Sequence, residues 1–377
     1  MSITIDLKTF DVLAGFLEAK RRSGSVVEKQ IYEKMTILDL IDRLISKRPL
    51  AFYTSLDATT FRSKINLNGK HSEKAWDEVG KVQNSVIPME DYLSYEEIEL
   101  AALINICTPT YFINGGRKEN AGVPDDSGAY PFSGYFAALV GARFERRDHM
   151  ESKYMEKFHD KQIETSKIAS YWKQFYENSF VSQSDKNYLA AGETVAGHPS
   201  SWLHIPAYKL RMEATLKPFF RLANDIARSH GKKGVVRIPG LGLGAWGKFI
   251  GQDCLFLQVI REILSAGPYS HIAKLGLIMG TDGLNASPIT TSDGHKIAIE
   301  TFASNSKLAL TGPVGGGEVL IASYAWDGNS FPGNEYWDDM LTASGDPAAA
   351  CCSTIQQLQN PYINKCLNAR NSLVVYA

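Results

Sequence analysis

The sequence predicts a mixed α/β protein, with a mainly parallel sheet flanked by helices and preceded by a helical N-terminal region. Three observations carry this. The second half alternates short β-branched runs with helical periods, the pattern of parallel strands joined by crossover helices. The first hundred residues repeat their apolar positions at helical spacing. Between these parts, from about Cys107, the composition turns to glycine, asparagine, proline and aromatics, where turn chemistry dominates.

In chain order, Lys29–Lys47 places Ile31, Met35, Leu38, Ile41, Leu44 and Ile45 on one helical face. Ser94 with Glu97 forms a capping-box signature ahead of Ile98, Leu100 and Leu103. The run TPTYFINGGRKENAGVPDDSGAYPFSGY then reads as a long loop up to the apolar stretch Tyr135–Val140. A loop of that length inside a compact body is more often functional than idle. An aromatic-rich helix (Tyr171, Trp172, Phe175, Tyr176) and a polar stretch, Ser182–Ser201, come next. Tyr208–His230 keeps a helical period through Leu210, Leu216, Phe220, Ala223 and Ile226, with a bend expected at Pro218 and an end at Gly231. Strands are expected at Val235–Ile238, Leu275–Met279, Lys296–Phe302 and Val319–Tyr324, and a helix at Asp253–Leu264. The chain divides on this reading into a helical region, 1–100, and a main domain, 101–377.

Composition narrows the function. Lys and Arg total 40 against 41 Asp and Glu, a formal net charge of −1, which disfavours a general nucleic-acid or membrane-surface binder. The five cysteines, Cys107, Cys254, Cys351, Cys352 and Cys366, show no CxxC or Cys/His metal spacing, so neither a disulfide framework nor a metal site is expected. No run of roughly 18 apolar residues is present, so no membrane span is expected. Met1–Lys20 lacks an apolar stretch of signal-peptide length.

Two segments can carry chemistry. Val235–Ile238 runs into Pro239-Gly-Leu-Gly-Leu-Gly-Ala-Trp-Gly247 and then into a helix. Glycines after a strand let backbone N–H groups approach phosphate, and the following helix N-terminus adds partial positive charge. The loop lacks the Lys-Ser/Thr of a P-loop and misses GxGxxG, so it fits a phosphate cradle and a purely structural turn equally. The segment from Ser323 to Asp339, continuing through Ser344-Gly-Asp-Pro347, is denser. Asp327 stands where a strand ends, the edge at which open α/β sheets place their ligands. Trp326, Phe331, Tyr336 and Trp337 offer flat surfaces, and Asn329 and Asn334 offer donors and acceptors. The bland alternative is that Asp327 and Asp346 are turn and capping residues. Glu335 equally suits a solvated charge, and Asp338 and Asp339 suit one better. Gly315-Gly-Gly317 and Ala303-Ser-Asn-Ser306 are flexible connections or places where backbone lies against a ligand.

INGGR (Ile113–Arg117), LVGARFE (Leu139–Glu145), GLGLGAW (Gly240–Trp246), YAWDGNSFPGNEYW (Tyr324–Trp337), SGDPAAA (Ser344–Ala350) and NPYIN (Asn360–Asn364) together resemble a family of unknown-function domains represented by the bacterial effector MavL, an ADP-ribosylhydrolase. The resemblance covers roughly residues 95–370. It implies a macro-domain-like ADP-ribose-binding domain at 101–377. The order of the loops, with ASNS and GGG following GLGLGAW, implies a permuted arrangement of strands. By motif, Gly240, Gly242, Gly244, Ala245 and Trp246 match a diphosphate loop, and Asp327, Glu335 and Asp346 stand at acidic positions, although an aspartate is expected where Glu335 stands. Asn114 and Arg117 are placed near the adenosine end, and Trp326, Asn329 and Asn334 are taken as further ADP-ribose-binding residues.

The implied activity is hydrolysis of the N-glycosidic bond between ADP-ribose and a protein side chain, with arginine the leading linkage and ubiquitin a candidate carrier. No cofactor and no metal is implied. The chain is expected to be a cytoplasmic monomer, acting in a host cytosol if it is a secreted effector, with no nucleic-acid or membrane partner. A non-catalytic ADP-ribose reader using the same cleft is the alternative, and a structural protein acting through its N-terminal helices the third reading.

Overall fold

A computed structural model describes residues 1–53, 55–83, 85–146, 149–158, 165–178, 187–195, 198–279, 287–303 and 314–377. Its centre is a nine-stranded sheet. Five neighbouring strands run parallel in the spatial order Lys296–Phe302, Ile272–Ile278, Lys233–Pro239, Glu318–Trp326 and Ser133–Val140. Beyond Ser133–Val140 the sheet continues with antiparallel Asn105–Tyr111, then Ser2–Asp6, then Leu373–Tyr376. Ile289–Thr290 pairs antiparallel at the far edge. The sheet is therefore mixed and mainly parallel, and all four expected strands of the second half belong to it.

The central strands have nearly continuous buried runs, as strands covered on both faces require: Val235, Val236 and Ile238, Leu320, Ile321 and Ala322, and Phe136 to Val140. The long helix Ile205–Ser229 packs against Ser2–Asp6, Lys233–Pro239 and the helix Gln252–Ala266. It continues through the buried Pro218 and ends at Ser229, just before the expected stop at Gly231.

The N-terminal residues depart from a purely helical region. Ser2–Asp6 is a strand inside the main sheet, whose partners Asn105–Tyr111 and Leu373–Tyr376 lie beyond residue 100, so the sheet crosses the expected division there. Ala51–Tyr53, Ala58–Thr60 and Asn66–Leu67 form a small antiparallel sheet. The expected helix Lys29–Lys47 is two helices, Val26–Tyr32 and Ile37–Ser46. Thr36 and Asp39 form a capping box that starts the second, which apolar spacing alone conceals. The Ser94–Glu97 box opens the helix Tyr95–Ala101 as expected.

Asn105–Tyr111 is a strand where loop was expected from Cys107. Pro109 weakens the strand signal. It lies past the residues that pair with Ser2–Asp6, where its missing N–H leaves no ladder bond unmade on that side.

Candidate functional site

The parallel strands end together at one edge. Chain order reverses there between Lys233–Pro239 and Glu318–Trp326: after the first, the chain winds outward through Ile272–Ile278 and Lys296–Phe302, then returns to the second on the other side. This is a topological switch point, where the loops leaving adjacent strands diverge and open a crevice. The glycine loop follows one of these strands and Asp327 follows the other.

The glycine loop is built as an open backbone surface. Gly242 adopts φ +69°, and a Cβ there would come 2.7 Å from the Ala142 carbonyl oxygen. A Cβ on Gly141 would in turn lie 2.4 Å from the Gly242 nitrogen, so the loops after Ser133–Val140 and Lys233–Pro239 touch across the end of the strand between them. Gln252 braces this turn by donating to the Gly242 carbonyl at 3.1 Å. Leu243 N–H donates to the Gly240 carbonyl and Gly247 N–H to the Gly244 carbonyl, at 3.2 and 3.0 Å. Among the described residues the amides of Gly244, Ala245 and Trp246 donate to no protein acceptor, and Gly244 and Ala245 are exposed. A side chain at Gly244 would meet nothing within 4 Å. Gly244→Val is therefore expected to leave the melting temperature unchanged while weakening ADP-ribose binding at least tenfold, because the side chain would fill the space in front of those amides. Calorimetry on the variant checks this, and normal binding would reduce the loop to a turn.

The acids converge. Asp327 Oδ1 accepts from Asn329 N–H at 2.8 Å and Ser330 N–H at 3.3 Å, so Asp327 is an Asx-turn residue as well as an acid at the strand end. Its carboxyl is pushed up by burial, against those amides and the cations Arg48 and Arg143. Asp346 is 5 % exposed, in the first turn of the helix Gly345–Cys352. Ser344 caps that helix, so Asp346 is free of the capping role. Its Oδ1 accepts from Gly333 N–H at 2.7 Å, and its buried Oδ2 has no partner. Burial, then the charges of Asp327 and Glu335, push Asp346 well above the ordinary aspartate range. Glu335 is half-buried, accepts from Ser344 Oγ at 3.2 Å, and is pushed up by burial and by Asp327. These three carboxyls feel one another's charge. Asp327 has the cations and amides that favour ionisation, and Asp346 has the environment that retains a proton.

Other expected residues have different surroundings. Trp326 is 1 % exposed, with the Arg48 guanidinium 4.2 Å above its ring. Phe331 is also buried, so only Tyr336 and Trp337 of the four aromatics remain half-exposed. Asn334 pairs with the backbone of Phe52, accepting at 2.8 Å and donating at 3.2 Å. Asn329 accepts from Arg143 at 2.7 Å. Asp338, expected as a solvated charge, is half-buried and accepts from Tyr53 and Thr60 at 2.8 and 2.7 Å. Asp339 is exposed as expected.

Asn114 is buried and organises its own loop, accepting from Gly116 N–H at 2.9 Å and donating to the Val123 carbonyl at 3.0 Å. Arg117 pairs with Glu119 at 3.2 Å. Their loop leaves the opposite end of the sheet and reaches the Cys352 end of the helix that Asp346 begins. Gly315–Gly317 also lies at that opposite end, before Glu318. Of Ala303–Ser306 only Ala303 is within the described residues, and residues 182–186, 196 and 197 of the stretch Ser182–Ser201 lie outside them as well.

Four side chains at this edge escape a reading by motif. Arg48, fully buried, donates to the Gly328 and Ser330 carbonyls, the latter at 3.4 Å, and its Nη2 has no partner. Burial holds its guanidinium down at about 9, against the charge of Asp327. Tyr53 is pushed up by burial and by Asp338, Glu335 and Asp327. Arg143 donates to the Asp327 carbonyl at 3.1 Å, and Glu145 lies within 3.4 Å of the Asn329 amide. Arg143 and Glu145 sit just after a strand end in LVGARFE, which was the signal available for them. Arg48 and Tyr53 come from the N-terminal region, where the sequence carries no such signal.

Among the described residues, no three His, Cys, Asp or Glu side chains gather in a cation-binding arrangement, and no helix is long and apolar enough to cross a membrane. A sequence model of the family described as MavL-like ADP-ribosylhydrolases matches residues 4–377. A Drosophila melanogaster protein named ADP-ribosylarginine hydrolase CG3568 is 30% identical over 388 aligned residues, covering 95% of this chain and 74% of that protein. A second from the same organism, ADP-ribosylarginine hydrolase CG2909, is 26% identical over 396, covering 95% and 75%.

Proposed function

The chain belongs to the MavL-like ADP-ribosylhydrolase family, and we propose that it releases ADP-ribose from modified arginine side chains, without a metal, in a macro-domain-like cleft at the sheet's switch point. What supports this reading is that three carboxyls raised by burial and by one another's charge, and a run of amides that donate to no protein acceptor among the described residues, follow neighbouring strands at one edge of the sheet. The names of the two Drosophila relatives support arginine as the linkage.

In this mechanism the amides of Gly244, Ala245 and Trp246 hold the diphosphate. Asp346 and Glu335 hold hydroxyls of the distal ribose. Asp327, the acid best supplied with cations and amides, orients water toward the anomeric carbon, and its charge favours the oxocarbenium-like transition state. The C–N bond breaks with its electron pair going to nitrogen. Guanidinium thereby departs as neutral guanidine and needs little acid assistance. The water oxygen bonds to carbon, its proton passes to a carboxylate, and the released guanidine regains a proton from solvent. Asn114 and Arg117 are assigned to the adenosine end by the resemblance alone, since it is Ile113 of their loop that bonds to the helix Gly345–Cys352, at its Cys352 end, and ubiquitin is a carrier protein to be tested.

Incubation with arginine-, serine- and glutamate-linked ADP-ribosyl peptides tests the reading. Release is expected from the arginine linkage alone and to persist in EDTA. Silencing by chelation would overturn the metal-free mechanism. ADP-ribose binding without release from any linkage would make the protein a reader.

A further inference from the structure

We propose that Glu145 is a fourth functional carboxyl of this site, whose free oxygen donates a hydrogen bond to the ribosyl end of bound ADP-ribose, directly or through one ordered water. The inference rests on the ADP-ribose-binding reading above and extends it to a residue outside the three acids.

Geometry comes first. Glu145 lies five residues past the end of Ser133–Val140, the strand beside the one that delivers Asp327. Its Oε1 is within 3.4 Å of Asn329 Nδ2. The same Asn329 donates its backbone N–H to Asp327 at 2.8 Å and accepts from Arg143 at 2.7 Å. Glu145 and Asp327 are thus held by opposite sides of one residue. The second oxygen, Oε2, is enclosed and has no hydrogen-bond partner. A buried polar oxygen left in that state is costly and calls for something to bond to it. Asp346 Oδ2 and Arg48 Nη2 are also enclosed and unpartnered, and both side chains feel the charge of Asp327.

Electrostatics decides whether Glu145 gives or accepts. Burial raises its carboxyl to about 8; Arg143 opposes this, and the charges of Asp327, Asp57 and Glu151 add to it. The Tyr95 hydroxyl, on the helix Tyr95–Ala101, also feels Glu145, and it donates to Asp57, which pairs with Arg146. With its carboxyl raised to about 8, Glu145 keeps its proton at neutral pH, whereas Asp327, also raised by burial, has the amides of Asn329 and Ser330 and the cations Arg48 and Arg143 to favour its charged form. Two carboxyls driven apart in this way take different roles, one as a charge and one as a neutral donor.

Glu145→Gln keeps an acceptor for Asn329 and puts an NH₂ donor where the hydroxyl stood, but cannot ionise. Calorimetry with ADP-ribose between pH 6.5 and 9.5 is the test. Wild-type affinity is expected to fall about tenfold as pH rises through about 8, the loss of one hydrogen bond and the gain of one like charge. E145Q is expected to match the wild type at pH 7 and to stay flat. Glu145→Ala is expected to bind about tenfold more weakly at pH 7. A flat wild-type profile, or an E145Q profile that falls like the wild type, overturns the proposal. Turnover of the arginine-linked peptide is read separately: failure to hydrolyse removes the hydrolase mechanism, whereas the binding profile alone decides Glu145.

Discussion

Asp327→Asn is expected to lower turnover of an arginine-linked ADP-ribosyl substrate by roughly 10²–10⁴-fold, while affinity for free ADP-ribose changes only a few-fold. The amide keeps an oxygen for the Asn329 and Ser330 N–H groups, so the turn survives and the charge alone is removed. Stability separates a catalytic acid from a structural one. Burial raises the Asp327 carboxyl above its unfolded value. Such a group costs stability as pH rises from the unfolded value, about 3.9, through the folded one, since the unfolded chain ionises more readily. Removing it should therefore leave the melting temperature at pH 7 unchanged or higher, and Asp346→Asn should behave likewise. Activity should show an acid limb above the ordinary aspartate range, because water is oriented only by the ionised form. A lowered melting temperature with unchanged turnover would make Asp327 a turn residue and nothing more.

How much of this was legible depends on the range of the interaction. Val235–Ile238, Asp253–Leu264, Lys296–Phe302 and Val319–Tyr324 were readable because periodicity and β-branching are local. Asp327 was readable because it follows a strand directly, and the glycine loop for the same reason. Asn105–Tyr111 was hidden by Pro109 and by neighbouring turn residues. Ser2–Asp6 was hidden because its partners, Cys107 and Leu373 among others, are more than a hundred residues away. Asn334 looked like a ligand group from its composition, yet it serves the backbone of Phe52. Arg48 follows directly on the expected helix Lys29–Lys47 and belongs to no motif, yet it lies under the acid loop. In both cases the deciding contact spans some 280 positions of sequence, 282 for Asn334 and Phe52. No window of residues contains it.

Glu151→Gln is expected to cost about 3–5 kcal/mol of folding stability, the largest loss among single substitutions behind the site. Glu151 is 3 % exposed and joins two buried guanidiniums, Arg143 at 3.0 Å and Arg211 at 2.8 Å. Arg211 also donates to the carbonyls of Ala102, Val140 and Gly141, at 3.3, 3.2 and 3.2 Å, fixing the end of the strand from which the Arg143 and Glu145 segment departs. Removing the single carboxylate leaves two enclosed cations without their counter-charge. Burial opposes the charge of Glu151, but Arg143 and Arg211 outweigh it and hold the carboxyl below the ordinary glutamate range. Its contribution is thus fully present above the unfolded value, about 4.3, and is lost as pH falls through the lower folded one. Denaturant unfolding at pH 7 should show the deficit, and the difference between wild type and variant should narrow below pH 4. Activity should fall as well, because Arg143 carries the other end of the network to the Asp327 carbonyl and to Asn329. A variant as stable as the wild type at pH 7 would mean that the two guanidiniums find other partners, and that this triad does not anchor the acid loop.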